Sequence, residues 1–241
     1  MSYFSVSHPW VIGFGGIGRA LVELLVANEE VLSVTVITRS KETVNLENPK
    51  LRIVECNIVH ESLADTIIAG FVPPSLVINT LGLLHSEQIM PEKRLADFKQ
   101  ASFEQVMAVN AQSTIRLAQT LEKWLGRKAS CLLVALSARV GSISDNRAGG
   151  WISYRVSKAA LNMAVKTISI EWQRTRPNMA IMTYHPGTVD SELSRPFQSR
   201  VPEGKLFTPN FAAQKLLDLI TGLSAADSGR FFAWDGSEVP W

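Results

Sequence analysis

Short apolar runs alternate along this chain with longer segments in which apolar residues recur at helical spacing. The short runs are rich in β-branched residues and have the length of strands. The run at 130–138 is almost entirely apolar, as expected for a strand of a parallel sheet that is buried on both faces. The pattern predicts strands at 10–12, 32–39, 51–58, 75–82, 130–138, 179–187 and 230–236, and helices at 19–29, 61–71, 102–125, 154–174 and 210–223.

The alternation of strands and helices through short connections favours one fold class. We expect an α/β fold, with a Rossmann-type doubly wound parallel sheet flanked by helices on both faces. No repeat, linker or low-complexity tract divides the chain, which predicts a single domain over residues 1–241. Residues 191–208 have weak periodicity and follow the end of a strand, where such sheets bind ligands. This segment forms either a mobile substrate lid or an ordinary surface loop.

The composition argues against several classes of function. The chain of 241 residues is 46% hydrophobic and 19% charged, with a net charge of +2 and no basic block, so a nucleic-acid partner is not expected. No apolar run approaches the roughly 20 residues that cross a bilayer, and the N-terminus lacks a signal-peptide pattern. Cys56 and Cys131 lie in strand-like runs, as in a protein of the reducing cytoplasm. The four histidines lack metal-ligand spacing, so no metal is expected.

A glycine-rich loop follows the first predicted strand. The sequence GFGGIG places Gly13, Gly15 and Gly18 in the spacing G-x-G-x-x-G, directly before a predicted helix. These glycines allow a tight turn, an approach of the backbone to a pyrophosphate, and close packing of the helix on the strand. The helix N-terminus offers N–H groups to the phosphates. We predict a dinucleotide site that includes Gly16 and Ile17, with an unspecialised glycine-rich turn as the alternative.

The end of the second predicted strand indicates which dinucleotide is bound. Sites that select NAD carry an acidic residue there to hold the ribose 2′-hydroxyl. This chain has Arg39 in the sequence TRSK instead, and a guanidinium suits a 2′-phosphate by charge and geometry. We therefore expect NADP as the cofactor. NAD remains possible, because Arg39 could equally be solvated.

A tyrosine and a lysine stand four residues apart at the start of a predicted helix. They are Tyr154 and Lys158 in the sequence YRVSK, and a four-residue step brings both side chains to one helical face. A phenol has a pKa of about 10, and a nearby ammonium together with the charge of a bound nicotinamide would favour its phenolate form. The pair therefore predicts a tyrosine that exchanges protons in catalysis.

A series of motifs in a fixed order carries a family resemblance. The glycine-rich loop is followed by NTLG, VN, a serine after the fifth strand, Y-x-x-x-K and PG. In this order the motifs resemble those of the short-chain dehydrogenase/reductases along nearly the full chain. The sequences GGWISYRVSKAALNM and FFAWDGSEVPW are most similar to the C-factor-like branch of that family.

The resemblance implies a role for each matching residue. It makes Tyr154 the acid/base, and Lys158 its activator and a ligand of the nicotinamide ribose. Asn110 matches the helix asparagine that holds a water in the proton relay. The other implied cofactor contacts are Asn57 and the adjoining Ile58 near the adenine, Asn79 and Gly82 beside the cofactor, and Pro186, Gly187, Thr188 and Val189 at the nicotinamide carboxamide.

One position departs from the family pattern. The family usually carries its substrate-orienting serine in S-x-x-G, and here Ala138 occupies that place before Gly141. Ser137 lies one residue earlier and Ser142 directly follows the glycine. Adjacent residues of a strand point to opposite faces, although a bulge or twist at the strand end could turn Ser137. We assign the role to Ser137, with Ser142 as the second candidate.

The resemblance implies an NADP-dependent oxidoreductase that transfers hydride between the nicotinamide and a carbonyl or alcohol substrate. The altered serine, together with a glycine loop one residue shorter than usual, keeps a second function open. This alternative is a low-turnover NADP-binding signalling or sensor protein of the C-factor type. The family commonly pairs its two long helices, here 102–125 and 154–174, so a homodimer or homotetramer is expected.

Overall fold

The computed structural model describes residues 4–63 and 71–241 of the chain. Within these residues, seven strands form one sheet, and all the strands predicted from the sequence are present. The helix predicted at 61–71 lies largely outside the described residues. The strands of the sheet are β1 (Pro9–Ile12), β2 (Val34–Thr38), β3 (Leu51–Glu55), β4 (Leu76–Asn79), β5 (Cys131–Leu136), β6 (Met179–His185) and β9 (Phe231–Ala233), and the short strands β7 (Thr188–Val189) and β8 (Leu206–Phe207) form a separate pair.

The order of the strands explains where a ligand can bind. Across the sheet the order is β3-β2-β1-β4-β5-β6-β9, and every pairing is parallel. Val11 of β1 pairs with Val36 on one side and with Ile78 of β4 on the other. The order of connection therefore reverses between β1 and β4, and sheets of this kind bind ligands beyond the carboxyl ends of the strands at such a point.

Helices cover both faces of this sheet. Among the described residues the α-helices are α1 (Gly16–Ala27), α2 (Gln100–Met107), α3 (Ser113–Trp124), α4 (Ile152–Thr175) and α5 (Pro209–Thr221). On one face, α1 and α5 bury Leu21, Leu25 and Leu216 against the strands. On the other face, α3 and α4 bury Leu121 and Trp172. The predicted Rossmann-type doubly wound fold is confirmed.

The helix predicted at 102–125 is interrupted near its middle. It begins at Gln100, and a π-helical turn at Ala108–Gln112 joins α2 to α3. A π-turn adds one residue to a helix and is frequently found at functional sites. Asn110 lies inside this turn, so the insertion sets the direction of its side chain.

The segment at 191–208 has more structure than its weak periodicity indicates. Arg195–Arg200 form a 3₁₀-helix, and β8 pairs in parallel with β7. In the part of the chain that the structure describes, no helix is long and apolar enough to cross a membrane.

Replacement of Leu21 tests the packing of α1 on the sheet. Leu21 is fully buried, and Leu21→Ala leaves a cavity, so we expect the free energy of unfolding to fall by about 2–5 kcal/mol. Glu23→Ala on the exposed face of the same helix is the control. It breaks only a surface ion pair with Arg19 and should change that free energy by less than about 0.5 kcal/mol. Urea unfolding measures both; equal effects would contradict the packing.

Candidate active site

Tyr154 and Lys158 lie together in the first two turns of α4, at the carboxyl end of the sheet. Both side chains are buried, with 7% of Tyr154 and 2% of Lys158 exposed. The Lys158 Nζ donates a hydrogen bond of 2.8 Å to the carbonyl oxygen of Leu136, the last residue of β5, and lies 5.8 Å from the centre of the tyrosine ring. The sequence therefore predicted correctly that the two groups share one face.

Burial shifts the pKa values of both groups of the pair. Burial raises the pKa of Tyr154 above its ordinary value of 10.0, and burial lowers the pKa of Lys158 from 10.5 to about 7. Desolvation is the cause of both shifts, because each group loses the hydration of its charged form. The expectation that the ammonium together with the charge of a bound nicotinamide favours the phenolate concerns the site with its cofactor and stays a prediction.

Asn110 connects the loop after β4 to the first turns of α4. Its Oδ1 accepts a hydrogen bond from the Leu83 N–H at 2.7 Å, and its Nδ2 donates to the Leu83 carbonyl at 2.8 Å. The same Nδ2 lies 2.9 Å from the Ser157 Oγ, which donates to the Tyr154 carbonyl at 2.8 Å. Asn110 therefore reaches the backbone of Tyr154 through Ser157.

Asn79 holds the end of β4 against α3. Its Nδ2 donates to the hydroxyl oxygens of Ser113 and Thr114, at 3.3 and 2.9 Å, and its Oδ1 accepts from the Leu81 N–H. Asn79 thus supports the turn that contains Gly82, as the family resemblance implies, through bonds made within the protein.

The glycine loop has the geometry of a phosphate cradle. Gly13 adopts φ +91° and donates its N–H to the Ile37 carbonyl at 2.8 Å. A Cβ at Gly18 would collide with the Gly13 carbonyl oxygen, whereas a Cβ at Gly15 would meet nothing within 4 Å. No side chain caps α1 and no acidic residue lies in its first turn, so its N–H groups suit an anion. The Ile17 side chain packs against the core, so a contact of this residue with the cofactor would come from its backbone N–H in the first turn of α1.

The residues expected near the adenosine lie at the same end of the sheet. Arg39 is exposed and follows β2, two residues after the Ile37 carbonyl that holds Gly13. Asn57 follows β3, and its Oδ1 accepts from the Val59 N–H at 3.3 Å. The Ile58 side chain is buried in the core.

The PG segment lies on a cluster of aromatic rings. Gly187 has φ +77°, and a Cβ there would lie 2.5 Å from the Phe207 ring and 3.2 Å from that of Trp234. Pro186 precedes this glycine, and Thr188 and Val189 form β7. Only glycine fits at position 187, because both the backbone angle and the space exclude a side chain.

Both candidate serines are buried and engaged in hydrogen bonds. The Ser137 Oγ donates to the Asn162 Oδ1 on α4 at 2.8 Å. The Ser142 Oγ accepts from the Asp145 N–H at 3.2 Å and lies 3.5 Å from the Ser144 Oγ. Ala138 begins the 3₁₀-turn at Arg139–Gly141. Each serine is therefore held by another protein group.

The segment after β7 spans the distance between the glycine loop and the tyrosine. A Cβ at Gly16 would lie 3.2 Å from that of Ser191, and one at Gly82 would lie 3.5 Å from the Leu193 Cδ1. Phe197 follows in the same segment, with its ring 4.9 Å from that of Trp151. The segment therefore covers the crevice between the glycine loop and Tyr154.

Three aromatic side chains that the sequence did not assign line this crevice. The Trp151 ring lies 6.3 Å from the Tyr154 ring and contacts Phe197, and the His85 ring lies 5.8 Å from Phe197. The sequence leaves Trp151 open between lining a substrate pocket and packing, and favours an ordinary loop histidine for His85. Phe197 carries no sequence signal beyond its place in the segment at 191–208. In residues 4–63 and 71–241, His, Cys, Asp and Glu form no group of three that could hold a metal ion.

Replacing Lys158 with Met tests the burial of the amine. Between pH 7 and 10.5 the unfolded chain keeps the Lys158 proton that the folded protein has lost, so the stability of the wild type rises with pH. Below pH 7 both states are protonated and the full cost of burying the charge is present. From pH 6 to pH 9 the unfolding free energy of the wild type should therefore rise by about 2.7 kcal/mol relative to that of Lys158→Met. Urea unfolding at both pH values measures this; a difference that does not change with pH would contradict the burial.

Comparison with known proteins accounts for this arrangement. A family model described as short chain dehydrogenase matches residues 10–201. C-signal of Myxococcus xanthus is 33% identical over 148 residues, which are 61% of this chain and 83% of C-signal. The 1-hydroxy-2-glutathionyl-2-methyl-3-butene dehydrogenase of Rhodococcus sp. (strain AD45) is 32% identical over 133 residues, which are 55% of this chain and 56% of that protein.

Solved structures have the same fold. The NADPH-bound carbonyl reductase from chicken fatty liver matches with a TM-score of 0.82 at 22% identity, over 98% of this chain and all of that chain (100%). Carbonyl reductase Sniffer of D. melanogaster matches with a TM-score of 0.82 at 19% identity, over 98% and 99%. The similarity to C-signal confirms the resemblance to the C-factor-like branch. By its matched residues and its fold, this chain belongs to the short-chain dehydrogenase family.

Proposed function

We propose that this protein is an NADP-dependent oxidoreductase that interconverts a carbonyl compound and the corresponding alcohol. The observation that carries the proposal is the buried pair of Tyr154 and Lys158, one helical turn apart at the carboxyl end of the sheet. A bound nicotinamide dinucleotide supplies or accepts the hydride. The residues of the chain bind it, exclude water and move the proton.

Tyr154 is the proton donor in the direction of reduction. Its hydroxyl gives a proton to the carbonyl oxygen as the carbonyl carbon gains hydride, and it recovers that proton in oxidation. Lys158 stabilises the phenolate and contacts the ribose. Because burial opposes the charged form of each group, we infer that ligand binding, together with the lysine, favours the phenolate. Through Ser157, Asn110 fixes the position of the Tyr154 backbone relative to the loop after β4.

The substrate is proposed to be an uncharged, largely apolar carbonyl compound. Trp151 and Phe197 form an aromatic wall beside the Tyr154 ring, and Leu193 lies beside Gly82. Rings and aliphatic groups of this kind favour apolar surface over charged groups. Two structural neighbours are named carbonyl reductases, which agrees with this class of substrate.

NADP is the proposed cofactor. The exposed Arg39 lies at the end of β2, beside the strand that leads into the glycine loop. A guanidinium at this place offers charge and paired N–H donors to a 2′-phosphate. One structural neighbour is NADPH-bound.

A low-turnover NADP-binding signalling protein is the second candidate. Ala138 occupies the place of the family's serine, and the Ser137 hydroxyl donates a hydrogen bond to the Asn162 Oδ1. If no serine contacts the substrate oxygen, the loss of such a donor typically lowers the rate by about 10²–10³. The similarity to C-signal also favours this candidate.

Pairing of the long helices is the proposed basis of a homodimer or homotetramer. Val156, Met163 and Ile170 follow one another at intervals of seven residues on α4, and they are 40%, 66% and 49% exposed. Ile115 on α3 is 44% exposed.

A cytoplasmic location is proposed as well. It agrees with the buried thiol of Cys131, because burial raises the pKa of that thiol to about 12.

Tyr154→Phe separates the two candidate functions. The variant loses the acidic hydroxyl and keeps the ring, so turnover of NADPH with a panel of carbonyl compounds should fall by about 10²-fold or more. Tyr184→Phe is the matched control, because the Tyr184 hydroxyl is buried in the core and has no hydrogen-bond partner among the described residues.

The outcomes of this assay are distinct. Turnover that persists in Tyr184→Phe and is lost in Tyr154→Phe supports the oxidoreductase. Tight NADPH binding without turnover across the panel supports the sensor. Absence of NADPH binding, measured as no protection against thermal unfolding, would reject both.

Arg39→Ala tests the choice of cofactor. Loss of the guanidinium removes a charge-assisted contact with the 2′-phosphate, so we expect the dissociation constant for NADPH to rise by about 10-fold or more while that for NADH stays within about twofold. Isothermal titration measures both constants. Arg127→Ala, at an exposed arginine beyond α3, is the control. An equal rise in the dissociation constants of NADPH and NADH would contradict a contact between Arg39 and the 2′-phosphate.

A further inference from the structure

A buried carboxylate lies against the first turn of α4, in the loop that leads from β4 to α2. It belongs to Glu92, of which 4% is exposed. The Glu92 Oε2 accepts a hydrogen bond from the Ser153 N–H at 3.1 Å, and its Oε1 accepts from the Ser153 hydroxyl. Ser153 directly precedes Tyr154, so the carboxylate is bonded to the residue next to the proposed proton donor.

The positive partner of this carboxylate is the helix itself. Among the described residues no lysine, arginine or histidine forms an ion pair with Glu92. The N-terminus of the 24-residue α4 presents backbone N–H groups and a partial positive charge, which suit a carboxylate. A buried carboxylate without hydrogen-bond partners is costly, so the hydrogen bonds from Ser153 explain why Glu92 can be buried at this helix end.

The backbone of Glu92 holds the same turn from the other side. Its carbonyl oxygen accepts a hydrogen bond from the Trp151 N–H at 2.6 Å. Trp151 has φ 53° and is the one residue other than glycine with a positive φ among the described residues. Gly149 and Gly150 before it also have positive φ, so the chain enters α4 through a left-handed segment. A residue with a Cβ keeps that conformation only when its surroundings enforce it.

The left-handed start of α4 affects the active site through Trp151. Trp151 contacts the rings of both Tyr154 and Phe197, so its position affects the phenol and the covering segment together. We propose that Glu92 is a positioning residue, which fixes the first turn of α4 through Ser153 and Trp151 and thereby fixes the place of the Tyr154 hydroxyl. This inference rests on the proposed function, because it assigns Tyr154 the proton transfer.

Three variants isolate the contribution of the carboxylate. Glu92→Ala removes both side-chain acceptors. Glu92→Gln keeps a carbonyl oxygen for the Ser153 N–H, and its amide can donate to the Ser153 hydroxyl, so it retains both contacts without the charge. Glu87→Gln, at an exposed position of the same loop, is the control.

Steady-state kinetics with NADPH give the first measurement. We expect kcat to fall by about 10–100-fold in Glu92→Ala, with an NADPH dissociation constant within about twofold of the wild type. Glu92→Gln should retain kcat within about threefold, and Glu87→Gln should match the wild type. A purely structural cap would change only the thermal midpoint, so a Glu92→Ala protein that is folded and keeps the kcat of the wild type would overturn the proposal.

A second measurement does not depend on turnover. Nitration of Tyr154 by tetranitromethane at pH 8, followed by peptide mass spectrometry, reports how the phenol is shielded. We expect faster nitration in Glu92→Ala than in Glu92→Gln, Glu87→Gln and the wild type. Equal rates in all four would overturn the positioning role, whereas unequal rates in a protein that turns over no carbonyl would overturn only the proposed oxidoreductase. If Glu92→Ala fails to fold, Ser153→Ala takes its place with the same expectations.

Discussion

The site depends on keeping an amine and a phenol out of water at the end of β5. The Leu136 carbonyl accepts a hydrogen bond from Lys158, and Gly141 approaches so closely that a Cβ there would lie 2.7 Å from the lysine Cβ. Burial alone disfavours the charged forms of Lys158 and Tyr154. The protein therefore holds the two groups in place at a cost to their charged forms, and the proposed proton transfer relies on a bound ligand to offset that cost.

Polar side chains within the protein maintain this geometry. Asn79 joins β4 to α3, Asn110 joins the following loop to Ser157, and Glu92 joins that loop to the start of α4. All three are buried, and a buried polar group is costly unless it is bonded, so each fixes the relative position of two elements. The loop after β4 thus connects the glycine-rich half of the crevice to the catalytic helix.

The sequence predicts the fold well because its signals are local. Apolar runs and helical periodicity indicate every strand of the sheet, and the spacing of Gly13, Gly15 and Gly18 indicates the turn that the structure contains. The four-residue step of Tyr154 and Lys158 likewise predicts their shared face. The π-turn at Ala108–Gln112 and the role of Glu92 leave no such signal, because both depend on contacts between segments distant in sequence. The burial of Tyr154, which raises its pKa, is likewise not revealed by a helical spacing.

The two candidate functions differ in rate more than in architecture. Tyr154, Lys158 and Asn162 recur every four residues along one face of α4, and Ser137 bonds to the last of them. The Ser137 hydroxyl is therefore directed to α4, one turn beyond Lys158. Ala138 presents a methyl group at the position where the family usually carries its serine. A donor missing at this place bears on the rate of the proposed reaction and not on the fold, so the two candidate functions share one architecture.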